Sequence, residues 1–138
     1  MKFEETIIIN APAEKIFQCY ENVNKWQDWD SEIQSASIEE DFQVGAIGKL
    51  KPQKGPEAKI EIIEITKPIS FTVVSKLPLC LMTFEHHLVE NDNQTEVTHA
   101  VSFTGVTAFL FGRLIGSDIK KGLPITLAGL KKFVELTK

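Results

Sequence analysis

Long apolar runs are missing from this 138-residue sequence, and no stretch approaches the length of a membrane span. The chain opens on Lys2, Phe3, Glu4 and Glu5, acidic at once and without an apolar stretch behind a basic head, which argues against a signal peptide. Cysteine is scarce. Cys19 and Cys80 lie far apart with no motif spacing, so a disulfide framework is not expected and a reducing, cytoplasmic setting is the simpler reading. Positive charge is thin too: 15 basic residues stand against 19 acidic ones, a formal net charge of −4. The lysines are scattered, with short pairs only at Lys120–Lys121 and Lys131–Lys132, which argues against a nucleic-acid partner and against a basic amphipathic anchor. There is no phosphate-binding glycine loop, no nucleophile elbow and no metal-ligand helix motif. No cofactor or metal is therefore expected. No repeat, low-complexity tract or linker divides the chain, so one domain over 1–138 is expected, as a monomer or homodimer.

What is present is a clear order of elements. Phe3 to Asn10 is β-branched and reads as a strand. Asn10, Ala11 and Pro12 signal a helix start, and Ala13, Ile16, Phe17 and Tyr20 follow at helical spacing. Asn22 to Asn24 ends that helix, and a second short helix or turn carries Trp26 and Trp29. Strands are then predicted at 33–40, 47–51, 58–66, 69–76, 79–90 and 95–103. In the third of these the alternation changes phase through Ile63, Glu64 and Ile65, the mark of a β-bulge. After Gly105 the pattern becomes helical. Phe109, Gly112, Gly116, Ile119, Leu123, Leu127, Leu130 and Val134 trace one stripe along a helix of roughly thirty residues. Pro124 lies inside it and predicts a kink or short break. A sheet with one apolar face needs a cover, and this helix is the only element long enough. The fold class is α+β: a curved antiparallel sheet of six or seven strands around a long C-terminal helix, with two short helices after the first strand.

That order, with the segment INAPAEKIFQCY (Ile9–Tyr20), the Trp26–Trp29 stretch, the Thr95–Thr98 strand after a polar hairpin and the ending LAGLKKFVEL (Leu127–Leu136), resembles the START/SRPBCC superfamily. Its members include polyketide cyclase-like proteins and relatives of the birch-pollen allergen. The resemblance implies the helix-grip fold with a cavity between sheet and C-terminal helix. It implies no single reaction, because the superfamily hosts lipid carriers, cyclases, dehydratases and partner-binding modules.

The residues add detail. Taking Asp92 and Asn93 as the centre of a hairpin turn places His86 opposite His99, Phe84 opposite Val101 and Met82 opposite Phe103. The apolar pairs mark this face as inward, so the two histidines sit together on an apolar wall. They are candidates for orienting a ligand hydroxyl or carboxylate, or for acid–base work, but a histidine in a strand needs no catalytic purpose and the structural pair is the simpler reading. If close and partly buried, both should resist protonation. Gly112 and Gly116 either leave room for a ligand beside Phe109 and Ile119 or let the helix approach the sheet closely. Trp26 and Trp29 either rim a cavity mouth or pin a short helix to the sheet. The expected lining is thus Phe71, Val73, Met82 and Phe84, the pair His86 and His99, and then Val101, Phe109, Gly112 and Ile119. The expected function is binding of a small hydrophobic or amphipathic ligand, lipid or polyketide-like. A cyclase or dehydratase using the two histidines, or a protein-partner module with an exposed apolar patch, are the alternatives.

Overall fold

The computed structural model describes residues 1–137. Seven strands form one antiparallel sheet: β1 (Lys2–Ile9), β2 (Ile33–Ile38), β3 (Ile47–Pro52), β4 (Ala58–Thr66), β5 (Ser70–Leu77), β6 (Cys80–Asn91) and β7 (Gln94–Thr104). Their order across the sheet is β1-β7-β6-β5-β4-β3-β2. Between β1 and β2 run α1 (Ala13–Glu21) and a 3₁₀ turn (Val23–Asp28); α2 (Ala108–Leu136) closes the chain. Six strands in sequence joined by short connections can only pair antiparallel, which produces this meander. The first strand then adds to the last.

Local chemistry sets the elements. Pro12 is the N-cap of α1 and lends it no side-chain bond. The cap comes from across the fold instead, where the Glu90 carboxylate accepts the Ala13 N–H at 2.7 Å. The β6–β7 turn has Asp92 and Asn93 both at positive φ, as a two-residue hairpin with right-handed twist requires. Its register is the one expected, with His86 opposite His99. The bulge in β4 falls where the alternation slips: pairing with β5 shifts between Ile62 and Glu64, and Ile63 faces outward.

Pro124 does not break α2, which is assigned as one helix through it. A proline removes one backbone bond, and both Pro124 and Lys120, whose carbonyl loses that bond, are exposed to water. The glycine alternative also resolves. A Cβ on Gly112 would collide with the Met1 side chain, and one on Gly116 with the Phe3 ring. The glycines admit β1 against the helix rather than a ligand.

Packing falls into two clusters. One gathers α1, the 3₁₀ turn, the central sheet and Leu127, Leu130 and Val134 of α2. The other gathers Cys80, Val101 and Phe103 with Phe3, Met82, Phe84 and, from α2, Phe111, Ile115, Ile119 and Leu123. Phe84 belongs to both. Among the described residues no helix is long and apolar enough to cross a membrane, and Cys19 and Cys80 are free.

Candidate functional site

The inner face of the sheet carries one row that differs from its neighbours. Following the strand pairings from β4 to β1, the row reads Ile65, Phe71, His86, His99 and Glu5. Rows on either side are apolar, for example Val73, Phe84, Val101 and Phe3. Alternation places residues two apart on the same face, so the whole row points toward the helices.

Tyr20 descends onto this row from the last turn of α1. Its hydroxyl lies 2.7 Å from His99 Nε2, and its ring centroid is 5.3 Å from that of His86. The imidazoles of His86 and His99 meet edge to face with centroids 4.6 Å apart. His86 also stacks on Phe71 at 3.9 Å and 9°, and its Nδ1 is 3.1 Å from the Phe71 carbonyl oxygen. A carbonyl oxygen only accepts, so His86 carries its proton on Nδ1. By the same logic the buried Tyr20 hydroxyl needs an acceptor, and His99 Nε2 is the one within reach. Tyr20 therefore donates, and the His99 proton sits on Nδ1.

Burial governs the charge state of this group. Desolvation pushes His86 down to about 4, against which its bond to the Phe71 carbonyl works only in part. Desolvation, with the neighbouring His86, holds His99 well below the ordinary histidine value. Burial also raises the Tyr20 phenol well above its usual value. At neutral pH Tyr20, His86 and His99 are an uncharged set of hydrogen-bonding groups. Tyr20 and Glu5 are the members that sequence reasoning missed. The signals were there: Tyr20 lies on the buried face of α1, and the alternation Phe3, Glu5, Ile7, Ile9 turns Glu5 inward.

The expected lining residues fall into three groups. Phe71, Val73, Val101 and His99 are sealed in the floor of the sheet. Met82, Phe84, His86 and Ile119 face inward but remain partly open to solvent. Phe109 and Gly112 do not line an interior space. Phe109 is 63 % exposed and lies under Arg113, whose guanidinium carbon is 4.8 Å from the ring centroid. Phe111 and Ile115, on the other flank of the same helix, take the inward positions. With Leu110 and Leu114, also exposed, Phe109 forms an outward apolar strip on α2. Gly112 is covered by Met1.

Trp26 and Trp29 pin the 3₁₀ turn. Both are buried, and Trp26 Nε1 donates to the Tyr20 carbonyl at 3.0 Å. A cleft of about 450 Å³ lies beside them, lined by Lys15, Cys19, Lys25, Trp29, Phe133 and Val134 among others. It opens between α1, the 3₁₀ turn and the C-terminal end of α2, outside the space between sheet and helix. Desolvation raises the Cys19 thiol, partly offset by Lys15, so it is no activated nucleophile. Among the described residues no three histidine, cysteine or acidic side chains gather as a metal site.

The comparisons with known proteins agree with this architecture. The family model described as polyketide cyclase / dehydrase and lipid transport matches residues 1–135. A solved protein of Mesorhizobium loti, MLL2253, is similar with a TM-score of 0.80 at 14% identity, over 100% of this chain and 99% of its own. TTHA0849 from Thermus thermophilus gives a TM-score of 0.78 at 12% identity, with 100% and 99% covered. Ara h 8.0201 gives 0.76 at 16% identity, with 99% of each chain covered. At these identities the likeness is one of fold. No functionally curated protein matches the chain.

Proposed function

The chain belongs to the polyketide cyclase / dehydrase and lipid transport family, and from that membership we propose that it binds a small hydrophobic or amphipathic molecule beneath the first half of α2. One observation carries the reading. Met82 and Phe84 of the sheet and Phe111, Ile115, Ile119 and Leu123 of the helix face one another and are all apolar, yet each stays partly open to solvent. Apolar side chains turned inward and left unsealed are a surface that a ligand can finish covering. Val73, Val101 and Phe103 form the floor beneath them, and His86 stands at the end of the strip as its polar member.

The test is a titration with N-phenyl-1-naphthylamine, a neutral probe that fluoresces when desolvated. Saturable enhancement is expected for the native chain, and Ile115→Trp should suppress it while the far-UV circular dichroism stays native. No enhancement, or an unchanged titration in Ile115→Trp, contradicts the reading. Acid–base turnover at the same place is a second reading, favoured by the unpartnered Nε2 of a neutral His86. A natural ligand recovered chemically unchanged after prolonged incubation counts against turnover and leaves binding intact.

A further inference from the structure

We infer that the apolar strip beneath the first half of α2 takes a molecule bearing a hydroxyl or another neutral hydrogen-bond donor and disfavours carboxylates, because a bare Nε2 lone pair of His86 stands at its end. The inference rests on the binding reading above and names the ligand chemistry within it. Its first support is geometric. The Phe71 carbonyl engages Nδ1 of His86 at 3.1 Å and fixes the tautomer, so the remaining nitrogen can only accept. Stacking on Phe71 at 3.9 Å holds the ring in that orientation. Nε2 has no protein partner, and among the described residues Trp29 Nε1 is the one sealed side-chain nitrogen or oxygen without a hydrogen bond. The second nitrogen of His86 is therefore not shut away from a ligand.

The second support is the charge around it. The strip that runs from it is apolar, formed by Phe84 and Met82 of the same strand and by Ile115 and Ile119 of α2. No lysine or arginine belongs to the row across the sheet, whose one acidic member is Glu5, opposite His99. A ligand carboxylate would lose its water, meet no cation, face an acceptor and share the row with another carboxyl group. A buried charge without a partner is strongly disfavoured. A hydroxyl donates to Nε2 and leaves a satisfied pair; an ether of the same shape leaves the nitrogen dry and unpaired.

Three matched probes separate these cases at pH 7.5: 2-naphthol, 2-methoxynaphthalene and 2-naphthoate, each displacing N-phenyl-1-naphthylamine from the native chain. Binding of 2-naphthol at least tenfold tighter than either of the others is expected. In His86→Phe, which keeps a ring to stack on Phe71, 2-naphthol should fall to the level of 2-methoxynaphthalene. Naphthoate binding as well as naphthol, or the three binding alike, overturns the inference and spares the binding reading; failure of all three overturns both. Imidazole nitrogen NMR of the native chain gives a check that needs no variant. An Nδ1–H tautomer at His86 whose Nε2 signal moves on adding 2-naphthol supports the assignment, and an Nε2–H tautomer overturns it.

Discussion

The two halves of α2 carry the same spacing of small and apolar residues, yet they end in different surroundings. From Leu127 to Val134 the inward side chains are sealed: Leu130 is 0 % exposed and Val134 is 1 %. From Phe111 to Leu123 the inward side chains are only partly covered. The helix is the same in kind; the cover differs. The second half packs with α1, the 3₁₀ turn and the aromatic group of Phe17, Tyr20, Trp26, Trp29 and Phe71, whose rings contact one another at centroid distances from 4.7 to 6.2 Å. The first half meets the start of the chain, where Phe3 of β1 and Met1 just ahead of that strand fill the glycine positions, and the ends of β6 and β7. One half thus stabilises the fold, and the other is left with apolar surface still to be buried. His86 and His99 stand at the boundary, in contact with Tyr20 from the sealed side, and Phe84 lies two residues along β6 from His86 toward the open side.

Core truncation breaks this comparison most directly. Leu130→Ala should cost about 3 kcal/mol, as deletion of a fully sealed leucine does. Ile115→Ala, at a site already wet, should cost less than about half as much. Urea unfolding of both variants decides, and equal losses would erase the distinction.

Acid comes next and acts on the boundary. The folded values of His86 and His99 lie below the unfolded one, so the unfolded chain takes up more protons as pH falls. Stability from this source is complete above about 6.5 and drains away on the way down to about 4, the folded value of His86. His86 alone should account for roughly 2–3 kcal/mol between pH 7.5 and 4.5. Chemical denaturation at the two pH values measures it, and His86→Phe should show a correspondingly smaller acid loss. The same acid loss in both proteins would remove His86 from the account.

Smallest is the effect expected on the outer strip. Phe109→Ser should change stability by no more than about 0.5 kcal/mol, since the ring is mostly in water already. A larger thermal shift would mean that the ring is covered in solution.

Much of this was legible in the sequence, for reasons that differ from place to place. The β6–β7 register followed from one turn, because Asp92 and Asn93 tolerate positive φ and side chains alternate with period two. The bulge at Ile63 followed from a visible phase slip. Glu5 was harder to see. Its neighbour His99 comes from the pairing of the first strand with the last, a contact no local pattern announces. Tyr20 could be placed on a buried face, but its partner depends on how α1 docks. Phe109 fits the helical stripe, yet a stripe says which side of a helix is apolar and not where its cover ends. For the same reason Gly112 could not be assigned without knowing that Met1 lies against it.

The central claim is that the open half of α2 and the adjoining strip of β6 hold the ligand, and side-chain methyl NMR tests it most directly. With N-phenyl-1-naphthylamine added to the native chain, the methyl signals of Ile115, Ile119, Leu123 and Met82 should move in a saturable way while those of Leu127, Leu130 and Val134 stay in place. Shifts centred on Val134, beside the 450 Å³ cleft at the other end of the helix, would contradict the account.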